Sequence, residues 1–147
     1  MSSNQYPEIA PKELLQDLKK LQPLFAENPR VLGVFLFGSQ VDGYVTSHSD
    51  VDMAVLYDGE VNWREHVRLA EAIAKQLGRK VDLANARHLP LLLQNRVIRG
   101  PIIYEKDPDR VSDFIQQVLV RYFDYQPRVE SYYHDFEQAM EAAYGYR

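Results

Sequence analysis

There is no cysteine in this chain of 147 residues, which rules out both a disulfide framework and a thiolate metal site. No apolar run reaches the ~20 residues that a membrane-spanning helix needs. Met1 to Tyr6 is polar and has no signal-peptide apolar region. These absences together point to a cytoplasmic protein without a membrane partner. Basic charge is also short: 17 Lys and Arg stand against 21 Asp and Glu, for a formal net charge of −4. That balance argues against nucleic-acid binding, because phosphate backbones are held by dense Lys and Arg. Glycine is sparse, at seven residues, and no Gly/Ser linker, repeat or low-complexity tract divides the chain. With 46% apolar and 26% charged residues, the composition is that of one ordinary globular domain with a single core.

Hydrophobic periodicity orders the chain. A helix is expected from Pro11, with Leu14, Leu15, Leu18 and Leu21 on one face and Pro23 ending or bending it. Val31 to Phe37 and Val51 to Tyr57 are short, apolar and rich in β-branched and aromatic residues, so both read as buried strands. A helix from Asn62 to Leu77 follows. Asn62 with Glu65 makes a capping box, Gly78 stops the helix, and Trp63, Val67, Ala70, Ala74 and Leu77 form the expected apolar stripe. Lys80 to Ala84 is a third strand, Leu89 to Arg99 a short apolar helix, and Pro101 to Glu105 another strand. Pro108 and Pro127 each open a tail helix. The class is therefore α/β (α+β): a small mixed sheet packed with helices, plus a C-terminal helical hairpin. We expect a single domain over 1–147, with a catalytic core at about 28–106 and a helical appendage at about 107–147.

The candidate site begins at the end of the first strand. Gly38 has no Cβ to keep a phosphate from the backbone, and Ser39 adds a hydroxyl and a main-chain N–H. Ten residues later come Asp50-Val51-Asp52. Alternation along a strand puts Asp50 and Asp52 on one face, where Mg²⁺ could bridge them to triphosphate oxygens. Asp82 stands between Val81 and Leu83 in an apolar strand, where a buried unpaired carboxylate would be costly. If that strand lies beside the second, Asp82 joins the other two acids, and divalent cations relieve their mutual repulsion.

This pattern resembles the nucleotidyltransferase superfamily that includes DNA polymerase β, whose signature is hG[GS], a spacer, Dh[DE]h and a later acid on a strand. The ten-residue spacer is that of the minimal nucleotidyltransferases (MNT), and within them the chain is similar to the antitoxins of HEPN/MNT toxin–antitoxin pairs. The resemblance covers about residues 31 to 105. It implies the nucleotidyltransferase fold, ATP as substrate, two Mg²⁺ ions, and transfer of AMP to a tyrosine of a HEPN-type ribonuclease toxin, as in type VII-like pairs. Carried over by residue, Gly38 and Ser39 match the triphosphate-binding pair. Asp50 and Asp52 match the metal ligands, and Asp82 matches the third acid, which orients the incoming hydroxyl and shares a metal.

One departure stands out. Gln40-Val41-Asp42-Gly43 has an acid where relatives often carry an arginine, which leaves Arg64, Arg79 or Lys80 to balance the triphosphate. Two other readings remain open at this level. One is an antitoxin that neutralises by binding alone, and the other is a transferase acting on a small hydroxylated molecule such as an aminoglycoside. Tyr125 and Tyr146 lie outside the helical stripes and are candidates for a partner interface.

Overall fold

The computed structural model describes residues 11–38, 51–125 and 134–138. Four strands form one mixed sheet: β1 (Val31–Phe37), β2 (Val51–Tyr57), β3 (Val81–Asn85) and β4 (Ile102–Glu105), in the spatial order β3-β2-β1-β4. β1 runs antiparallel to both β2 and β4, whereas β2 and β3 are parallel. The parallel pair needs a crossover, and helix α3 (Trp63–Leu77) supplies it.

Strand alternation sorts the core into two layers. Val34, Leu36, Met53, Val55 and Leu83 face Leu14, Leu18, Leu21 and Phe25 of the N-terminal helices and Leu69 and Ile73 of α3. Phe35, Ala54 and Leu56 face Val97 of α4 (Leu91–Ile98) and Val111, Phe114 and Val118 of α5 (Pro108–Asp124). Burying each such large side chain contributes about 1.5–3 kcal/mol, so both layers stabilise the sheet substantially.

Two local expectations are corrected. The N-terminal segment is not one helix bent at Pro23. It is two helices, α1 (Pro11–Lys19) and α2 (Gln22–Glu27), and Pro23 lies in the first turn of the second. A missing N–H costs nothing there, so proline starts this helix rather than stopping one. On α3 the capping box of Asn62 and Glu65 forms, and Gly78 closes the helix in the left-handed region at φ 70°. Ala70 and Leu77 of the expected stripe pack against the core beside buried Leu69 and Ile73, but Trp63 is 77% exposed. Trp63 is the first helical residue, and His66, one turn on, turns its ring toward the sheet.

The second tail helix expected from Pro127, and Tyr146 with it, lie outside the described residues apart from 134–138, which is helical. No helix among the described residues is long and apolar enough to cross a membrane.

Candidate active site

The site stands at one end of the sheet, on the face that α4 and α5 cover only in part. β1 ends with Phe37 in register with Asp52 of β2, and Asp52 is in register with Asp82 of β3. Neighbouring strands lie about 4.8 Å apart, so the two carboxylates leave adjacent backbones on the same face. Further along that face the rows become apolar, with Phe35 beside Ala54 and Ala54 beside Ala84. The acids thus mark the polar end of an otherwise hydrophobic surface.

Gly38 completes the row. Its φ is 86°, and a Cβ built on it would overlap the Asp52 carboxylate. Glycine is required here both for the turn and for the close approach of backbone to acid. Asp52 is half-buried, whereas Asp82 is exposed and has no ion pair among the described residues. The sequence suggested a buried Asp82. Its strand is instead an edge strand, so water reaches the carboxylate and no desolvation cost arises. Two facing oxygen donors, one of them unpaired, suit a hard divalent cation such as Mg²⁺ better than any softer metal. Ser39 and Asp50, as well as His48 and Asp42, lie outside the described residues.

β3 is held in place by contacts that sequence reasoning did not foresee. His66 of α3 accepts from the Tyr57 hydroxyl at Nδ1 (2.8 Å) and donates from Nε2–H to the Leu83 carbonyl (2.8 Å). The carbonyl can only accept, which assigns the proton of the neutral ring to Nε2. The adjoining residue, Asp82, is therefore tied through Leu83 to both β2 and α3. Burial, helped by the negative charge of Glu65, pushes the Tyr57 hydroxyl up to about 12. On the other side, buried Gln94 donates to the Ala86 carbonyl (2.9 Å) and accepts from Arg121 (3.3 Å), which joins α4 and α5 to the turn after β3. No periodicity or motif marks His66 or Gln94, because their roles come from contacts between elements far apart in sequence.

The fold sets one of the three cations proposed from sequence apart from the other two. Arg64 lies in the first turn of α3, beyond the far end of β2, and the five steps from Asp52 to Tyr57 span roughly 16 Å. Arg79 and Lys80 directly precede β3, at the same end as Asp82. Arg87, just beyond β3, lies over the Phe114 ring at 5.8 Å from its centroid.

Comparisons with known proteins identify the family and the fold. The chain is 32% identical over 108 residues to a protein adenylyltransferase MntA of Aphanizomenon flos-aquae, covering 66% of this chain and 72% of the relative. A solved toxin–antitoxin complex with AMP-PNP superposes with a TM-score of 0.66 at 25% identity, over 84% of this chain and 98% of the other. The complex of a tri-AMPylated Shewanella oneidensis HEPN toxin with its MNT antitoxin gives a TM-score of 0.63 at 22% identity, over 83% of this chain and 97% of the other, a likeness of fold. The family pattern described as polymerase beta, nucleotidyltransferase, matches residues 19–109, and this chain belongs to that family.

Proposed function

We propose that this nucleotidyltransferase is a protein adenylyltransferase that acts as an antitoxin, moving AMP from ATP to a tyrosine of a HEPN-type toxin. The observation that carries the reading is the row Gly38, Asp52, Asp82 across three neighbouring strands, with backbone pressed against the middle acid. Similarity to an adenylyltransferase of this type, over most of that relative's length, supports the acceptor class.

In the proposed reaction, the Gly38 backbone and the Ser39 hydroxyl and N–H hold the β- and γ-phosphates. The tyrosine oxygen forms a bond to the α-phosphorus, the bond from that phosphorus to the bridging oxygen breaks, and pyrophosphate leaves. Asp82 orients the hydroxyl and receives its proton. Asp50, Asp52 and Asp82 would hold Mg²⁺, which would supply charge neutralisation for the entering and leaving oxygens. The three AMP groups on the Shewanella toxin suggest that this chain also adds more than one.

The test is the intact mass of the HEPN-type partner after co-expression with wild-type chain or Asp52→Asn. Increments of whole AMP units with wild type alone are expected. An unmodified partner that is still neutralised would replace catalysis with neutralisation by contact.

A further inference from the structure

Lys80 sits at the edge of the site, and neither the fold nor the first transfer accounts for it. The Val51 N–H donates to the Lys80 carbonyl at 3.0 Å, so the β2–β3 ladder continues one residue before β3 begins. Val81 packs into the core layer beneath the sheet, whereas Asp82 is exposed on the opposite face. Alternation therefore brings Lys80 out on the Asp82 side, two residues or roughly 6.6 Å along the strand. Its side chain is exposed and has no ion pair among the described residues. Arg64 is too distant to act here, and Arg87 is engaged with Phe114.

The strand order tells which substrate Lys80 would meet. Phosphoryl transfer places the entering and leaving oxygens roughly in line on opposite sides of the phosphorus. With the triphosphate at Gly38 on β1 and the acids of β2 in the middle, the entering oxygen must lie over β3. Lys80 is thus an acceptor-side cation. A tyrosine hydroxyl is neutral and offers an ammonium group one uncharged acceptor, the weaker kind of partner. A tyrosine that already carries AMP presents a phosphodiester, one negative charge next to the ribose whose hydroxyl would attack next.

This inference rests on the adenylyltransferase reading above. We propose that Lys80 is a specificity-determining residue for chain extension: it pairs with the phosphodiester of an AMP already attached to the acceptor and presents that nucleotide for the next transfer. In each extension step a ribose hydroxyl oxygen bonds to the α-phosphorus of a new ATP. The α–β bridging bond breaks, pyrophosphate leaves, and the hydroxyl proton passes to Asp82.

The experiment is a time course of intact mass, using the full chain with its HEPN-type partner and ATP. Wild type should give a ladder of one, two and more AMP units. In Lys80→Ala the ratio of second-transfer to first-transfer rate should fall about tenfold, the scale of one charge-assisted hydrogen bond. Lys80→Arg should restore the ladder, and Lys75→Ala, which removes an exposed cation in the last turn of α3, should leave it intact. A full ladder from Lys80→Ala would overturn the proposal, as would an equal loss of both transfers or a matching stall in Lys75→Ala. A wild-type reaction that halts at one AMP would overturn it while leaving the transferase reading intact; no transfer at all would overturn both.

Discussion

The Asp52 carboxylate occupies the space into which a Cβ on Gly38 would project: that atom would lie 2.9 Å from Asp52 Cγ and nearer still to Oδ2. Since φ at Gly38 is also 86°, any L side chain there is strained by its backbone and by the acid together. Gly38→Ala should therefore lose about 1–3 kcal/mol of stability. It should also cut AMP transfer about 100-fold, the effect of displacing a reacting group by an ångström or so. Urea unfolding and a transfer assay check both. A Gly38→Ala protein as active as wild type would mean that this contact does not set the position of Asp52.

The register of Asp52 with Asp82 gives a prediction that depends on metal. Like charges directly opposite each other on a sheet destabilise it, so in EDTA Asp82→Asn should be as stable as wild type or more stable by ~0.2–1 kcal/mol. Mg²⁺ should raise the melting temperature of wild type, because a ligand that binds only the folded state stabilises it, and Asp82→Asn should lose most of that gain. EDTA should abolish transfer in both proteins. If Asp82→Asn retains the full Mg²⁺-dependent shift, Asp82 is no ligand.

Much of this site was legible because its spacing and its structure report the same thing. Apolar runs bounded by Gly38 and by the acids mark two strands, and the period of two along β2 fixes the face of Asp52. The pairing of β3 with β2 was a conditional reading, since nothing in Val81–Asn85 names its neighbour; the crossover through α3 settles it. One end of the α3 stripe was misread. Ala70 and Leu77 pack on the core as their spacing implies, yet Trp63 at the first helical position is exposed, and His66 one turn on makes the two hydrogen bonds to the sheet. Pro23 reads equally well as a stop or a start, and only the chain before it decides.

Gln94 shows how a buried polar group stabilises the site from a distance. Its amide is 3% exposed, and both of its ends are used, by the Ala86 carbonyl and by Arg121. Gln94→Ala removes the donor to a buried carbonyl, which should cost about 1–3 kcal/mol. Arg121→Ala should cost less, because its guanidinium lies nearer to water. Urea unfolding of the two variants measures the difference. Equal losses would show that the arginine, not the amide, ties α5 to the turn after β3.

Tyr57 gives the last prediction, and its sign follows from linkage. Burial raises the hydroxyl from its ordinary value of 10.0 to about 12 in the folded chain. Below pH 10 the group is protonated in both states and stability does not depend on it. Between pH 10 and about 12 the unfolded chain releases this proton while the folded chain keeps it, so stability falls as pH rises. The loss attributable to this group should approach ~2 kcal/mol at the upper end of that window. Tyr57→Phe has no proton to release and should show a correspondingly shallower decline, which isolates Tyr57 from the other tyrosines and lysines that titrate there. The variant also frees His66 Nδ1, so its stability at pH 8 should lie about 1 kcal/mol below wild type. The two unfolding curves should then meet where that loss reaches ~1 kcal/mol and cross toward the upper end of the window; parallel curves from pH 8 to pH 11 would mean that the Tyr57 hydroxyl ionises as freely in the folded chain as in the unfolded one.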